Sequence, residues 1–139
     1  RALSLNPSNA DARNNLGNLC KDAGRLDDAE AHYREALTIR PGGATIWKNL
    51  GAVAIARGDW VAAASSFHAA IEAESEAADA WSSLGYALGR AGRLADAEAA
   101  CRRALALRPD WPDALVNLAS VLKDQHDLAA AEVQCRRAI

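Results

Sequence analysis

Asn15-Leu16-Gly17, Asn49-Leu50-Gly51, Ser83-Leu84-Gly85 and Asn117-Leu118-Ala119 follow one another at intervals of 34 in a chain of 139 residues. Two further slots keep the same register: Ala29, Ala63, Ala97 and Ala131, then Ala36, Ala70, Ala104 and Ala138. Slots that recur four times without an insertion mark a repeat in which each unit touches only its neighbours. The expected core is therefore a continuous ribbon between layers, with no central globule.

Inside one period the apolar residues adopt helical spacing twice. A first helix carries Ala12, Leu16, Leu19 and Cys20, with Ser8 or Asn9 expected to cap it after Pro7. Gly24 follows, and Gly58 and Gly92 recur in its slot, where a left-handed residue ends a helix. A second helix carries Leu26, Ala29, Tyr33, Ala36 and Leu37 on one face, and Pro41 stops it. Gly17, Gly51, Gly85 and Ala119 predict a close crossing of the two helices, with Ala29 and its equivalents opposite. Trp47, Trp81, Tyr33 and Phe67 are expected to fill the space between layers, with Trp81 largely buried. Three local departures stand out. Ser75 takes the place of the stopping proline and predicts a helix that runs on or frays. His126 replaces the turn glycine, and Arg13 takes the slot of the two tryptophans.

A 34-residue period with a Leu-Gly pair followed by two small residues resembles the tetratricopeptide repeat (TPR) over the whole chain. The resemblance implies an all-α fold, a right-handed superhelical solenoid of stacked antiparallel helix pairs. The expected segments are 1–9, the tail of a preceding repeat and its loop, then repeats at 10–43, 44–77 and 78–111, and an incomplete repeat at 112–139. Together they read as part of a longer array. Uncovered apolar stacking surfaces around Leu3, Leu5, Val133 and Ile139 predict end-to-end self-association.

In the TPR family the first helices line a concave groove that binds peptides, so partners are expected there and not on the outer face. The slot before each Leu-Gly pair reads Asn15, Asn49, Ser83 and Asn117. Asparagine is a poor residue for a helix interior, so its recurrence on one face suggests use. An amide donates and accepts at once, and it can hold a peptide main chain without reading its sequence. The remaining groove candidates are Asp11, Asn14, Asn18, Lys21, Lys48, Asp79, Tyr86, Arg90 and Lys123, with Tyr86 the best single anchor.

The asparagine row, together with Pro109-Asp110-Trp111-Pro112-Asp113-Ala114, resembles the TPR arrays of O-GlcNAc transferases. That likeness implies an alternative role, the substrate-recruiting arm of a larger glycosyltransferase; a self-assembly module is a third. TPR domains that grip the carboxylate tail of heat-shock chaperones place cations where this chain has Asn14, Asp79 and Ser83. Asn18 and Asn49 fit that subfamily, but Asp79 would repel a carboxylate.

Composition narrows the function further. A net charge of −2 gives no electrostatic reason for nucleic acid or an anionic membrane. His32, His68 and His126 fall in unrelated slots, and neither metal spacing nor a Gly-rich phosphate loop occurs. Asp27, Asp28 and Glu30 begin a helix, where the macrodipole accounts for them. No catalytic residue, metal or cofactor is expected. Cys101 and Cys135 share the slot of Tyr33 and Phe67, about 8–10 Å apart on stacked helices, too far for a disulfide. They read as small core residues of a reducing, cytoplasmic compartment. Thirteen arginines against three lysines hint at a GC-rich bacterial genome.

Overall fold

A left-handed glycine makes the same turn three times. Gly24, Gly58 and Gly92 have φ of 80°, 74° and 85°. Just beyond them Arg25, Asp59 and Arg93 donate their amides to Cys20, Ala54 and Leu88, at 2.8, 2.9 and 2.9 Å. These bonds satisfy carbonyls that the helix end would otherwise leave open, and the next helix begins at the following residue. The computed structural model describes residues 7–125 and 128–138. Eight helices occupy them: α1 (Pro7–Asp22), α2 (Leu26–Ile39), α3 (Ala44–Arg57), α4 (Trp60–Ala73), α5 (Ala78–Arg90), α6 (Leu94–Leu107), α7 (Pro112–Asp124) and α8 (Leu128–Ala138). No strand occurs among the described residues. Leu3, Leu5, His126 and Ile139, and the tail expected before α1, lie outside them.

Each odd helix packs on the even helix that follows it, and each even helix packs on the next hairpin. Odd helices also meet one another, α1 with α3 and α5 with α7, whereas successive even helices form no comparable contact. The odd helices therefore lie on the inside of the curve and the even helices splay on the outside.

The close crossing has a specific cause. A Cβ on Gly17 would stand 2.5 Å from Tyr33 Cε1, one on Gly51 2.6 Å from Phe67 Cζ, and one on Gly85 2.5 Å from Cys101 Sγ. The nearest surface opposite the glycines is thus the ring or thiol of the even helix, and of the expected Ala29 row Ala97 comes closest, its carbonyl oxygen 3.3 Å from a Cβ on Gly85. Burial on both sides enforces this, because Tyr33, Phe67 and Cys101 lie in the core. Desolvation pushes the Tyr33 hydroxyl up to about 12, and that hydroxyl donates to Asn18 Oδ1 at 2.6 Å. Cys135 departs from its slot: it is exposed, opposite the register position that holds Ala119.

Four other expectations need correction. α1 begins at Pro7, so Ser8 and Asn9 lie in its first turn and do not precede it; proline's fixed φ suits that position. α4 ends at Ala73 and does not run on, because Trp81 Nε1 donates to Ser75 O at 2.9 Å. Trp47 Nε1 makes the equivalent bond to Pro41 O at 2.9 Å, so indole and loop carbonyl stop the helix with or without proline. Trp81 is only partly buried, packing one side against the core. Leu16 and Leu19, expected in the core, are 41% and 66% exposed, whereas Leu50, Val53, Leu84, Leu118 and Val121 are buried under the preceding hairpin.

Outside, the hairpins are strapped by charge. Arg57 on α3 hydrogen-bonds both Asp27 and Glu30 on α2, and Arg34 pairs with Glu30 at 2.5 Å. The Arg57 guanidinium first, and then Arg34, hold the Glu30 carboxyl below its ordinary value. A depressed folded value means the stabilisation is present above the unfolded pKa and is lost as pH falls through the folded one. Glu30→Gln should therefore lower the melting temperature at neutral pH, for a loss of about 1 kcal/mol or less. In thermal melts over a pH series, the gap to wild type should close on acidification below the carboxylate range; a constant gap would contradict the assignment.

The cysteines give a second check. Burial pushes the Cys101 thiol up to about 12, and the thiolate is the reactive form. Alkylation followed by peptide mass spectrometry should find Cys135 modified in the native protein and Cys101 only after unfolding. Equal labelling of both would contradict the burial of Cys101.

Candidate functional site

The inner surface is built from the odd helices, and one recess in it has a volume of about 330 Å³. Ile55 of α3, Asp79, Ser82, Ser83 and Tyr86 of α5, Trp111, and Asp113, Val116 and Asn117 of α7 line it. Two causes bring these side chains together. The 34-residue register places Asp79 with Asp113, Ser82 with Val116, and Ser83 with Asn117 at equivalent points of neighbouring helices. Helical spacing then puts Asp79, Ser82, Ser83 and Tyr86 on one face of α5. Four sequence candidates converge here: Asp79, Ser83, Tyr86 and Asn117.

The asparagine row does not stand free. Asn49 Nδ2 donates to Asn14 Oδ1 at 2.9 Å. Asn117 Nδ2 donates to Ser82 Oγ at 3.1 Å and to Ser82 O at 3.3 Å. Each amide thus reaches back to the preceding hairpin and ties the odd helices together. One N–H of each amide is committed to that bond. Asn15 is exposed, and Ser83 is partly buried.

The charged candidates are largely paired. Lys48 Nζ lies 3.1 Å from Asp79 Oδ2, and Arg40 lies 2.8 Å from Asp11 Oδ1. Asn18 accepts the Tyr33 hydroxyl and so serves the hairpin core. Lys21 and Lys123 stand in the last turns of α1 and α7, away from the recess. Asp113 makes no ion pair among the described residues, so the recess carries one open carboxylate.

Tyr86 is 38% exposed and meets Trp60 edge-on, with ring centroids 5.9 Å apart. Arg90 lies over the same indole, 4.8 Å from its centroid. Such contacts hold the phenol ring in place beside the recess. Sequence reasoning missed Trp60, Trp111 and Ile55. Trp60 begins α4 in the slot of Leu26 and so reads as a core position, and Trp111 precedes α7 and falls outside the amphipathic pattern. Among the described residues no three metal-ligating side chains cluster. No described helix is long and apolar enough to cross a membrane.

Helix hairpins stacked at a 34-residue period, with a polar inner groove, define a helical-repeat solenoid. Family models described as tetratricopeptide repeat match residues 48–112 and 10–42, together more than two thirds of the chain. The chain belongs to the tetratricopeptide-repeat family. No curated protein matches it in sequence. Among solved structures, MamA is similar at 20% identity and a TM-score of 0.87, covering 99% of this chain and 80% of that one. The first TPR of Spaghetti (RPAP3), bound to the HSP90 peptide SRMEEVD, is similar at 20% identity and a TM-score of 0.84, over 88% and 97%. The Arabidopsis OM64 TPR domain follows at 22% identity and a TM-score of 0.80, over 85% and 98%. At these identities the likeness is one of fold.

Proposed function

We propose that this chain is a protein-interaction scaffold that holds an extended peptide along the groove of its odd helices. One observation carries the reading: a single inner recess combines the apolar Ile55, Tyr86, Trp111 and Val116 with the amide of Asn117 and the hydroxyl of Ser83. Apolar walls bury a side chain, and the amide oxygen takes a main-chain N–H. The open Asp113 carboxylate, and Asp79 already holding Lys48, favour a peptide with a basic residue beside its apolar anchor. An acidic tail of the kind RPAP3 binds is correspondingly disfavoured. The row of Asn15, Asn49 and Asn117 favours a second reading, in which the same groove is the substrate-recruiting arm of a larger O-GlcNAc-transferase-like enzyme. Exposed Leu16 and Leu19 supply the surface on which a further helix, including one of a second copy, would stack end to end.

A phage-displayed library of random peptides, panned against the chain, supplies the probe. Peptides held by the groove should bind the Asn49→Ala, Asn117→Ala double variant more weakly by about 1–3 kcal/mol in calorimetry, since each lost hydrogen bond is worth about 0.5–1.5 kcal/mol. Tyr86→Ala should weaken them too. Selected peptides that bind both variants as tightly as wild type would overturn the groove reading.

A further inference from the structure

The outer face breaks its own pattern once. At one register position the even helices carry a Glu-Arg pair spaced one turn apart. Glu30 and Arg34 pair on α2 at 2.5 Å, Glu98 and Arg102 on α6 at 2.8 Å, and Glu132 and Arg136 on α8 at 2.7 Å. On α4 the same two positions are Ala64 and His68. Asp27 and Arg57, which with Glu30 strap the first hairpin to the second, become Val61 and Ala91 between the second and third, and Ala95 and Gln125 between the third and fourth. Where α2 and α3 close their junction with ions, α4 and α5 leave theirs open and apolar.

The consequence is a cleft of about 700 Å³ between α4 and α6, floored by α5. At the corresponding junction of the first two hairpins the strap leaves about 100 Å³. Ala64, Leu84, Leu88 and Ala100 form the apolar floor, and Trp81 lines the cleft with the side it does not give to the core. Val61 stands at the mouth, 70% exposed. An apolar residue in a slot that is charged in the first hairpin, beside a cavity of ligand-binding size, marks a surface that is covered in use.

The rim says with what. Arg93 is paired with Asp96 at 2.7 Å, and His68 faces Glu72 at 3.7 Å. Arg103 pairs with no carboxylate among the described residues; its guanidinium lies over the Trp81 ring, 5.9 Å from the centroid. The cleft thus offers an apolar hole with one unsatisfied cation fixed at its edge by an indole. A guanidinium held over a ring keeps its outward N–H groups for a carboxylate. We propose that this outer cleft is a second docking site, which takes a protein segment carrying a large apolar side chain next to an acidic residue. The site opposes the inner groove in both position and charge preference, so the two can be occupied together.

The test restores the pattern of the other hairpins. Ala64→Glu with His68→Arg rebuilds a pair that α2, α6 and α8 already carry and fills the cleft with two long charged side chains, and a thermal melt by circular dichroism verifies that the variant folds. A phage-displayed random peptide library panned against the chain should yield one class of binders with an apolar residue flanked by Asp or Glu. These should weaken by about tenfold or more on the paired variant and on Arg103→Gln, while Tyr86→Ala leaves them unchanged. Absence of any binder class sensitive to the paired variant would overturn the proposal. So would cleft binders with basic flanks, or sedimentation showing that the wild-type chain self-associates through this cleft and the paired variant does not.

Discussion

Each of the first three hairpins depends on a missing Cβ. Where the odd helix carries Gly17, Gly51 or Gly85, the even helix presses a ring or a thiol against bare backbone, closer than any side chain would permit. That approach sets the distance between the two helices, and with it the packing of the alanine rows that run beside it. Leu-Gly is legible as a motif because leucine and glycine answer opposite demands one residue apart. The leucine faces the preceding hairpin and fills the junction; the glycine faces its own partner helix and must not.

Once the hairpin is closed, the direction of curvature decides which chemistry goes where. Odd helices meet each other on the inside, so their polar residues come within bonding distance across hairpins. Asn49 with Asn14 and Asn117 with Ser82 repeat one geometry at a separation of 35, and Lys48 with Asp79 bridges at a separation of 31. Even helices splay on the outside, where only long side chains bridge the gap. Arginine does so between the first two hairpins. Where the sequence supplies short apolar residues instead, the gap stays open and becomes a cleft.

Periodicity made the fold readable, because a 34-residue register and helical spacing are properties of the chain alone. The left-handed glycines at 24, 58 and 92 were equally local and fell where turn chemistry puts them. Contacts between elements were less legible. The residues facing Gly17, Gly51 and Gly85 were placed on the alanine row, because spacing identifies a face but not which of its side chains reaches furthest. The run-on of α4 was expected from the loss of a proline, yet an indole six residues downstream supplies the stop through the loop carbonyl. The groove candidates lie on the odd helices, but their hydrogen bonds depend on the angle between hairpins, which no single repeat encodes. The outer cleft escaped for another reason: it is visible only when the four repeats are compared for what one of them lacks.

The central claim is that a ring or thiol against bare backbone locks the first three hairpins. A double-mutant cycle between Gly51 and Phe67, read by urea denaturation, tests it most directly. Gly51→Ala in the wild-type background should cost about 1–3 kcal/mol by overpacking against the Phe67 ring. In a Phe67→Ala background the same change should cost little or stabilise, because the ring is gone and alanine is the better helix former. The account predicts a coupling of about 1–3 kcal/mol between the two positions. Additive effects would show that Gly51 and Phe67 do not meet as described, and would contradict it.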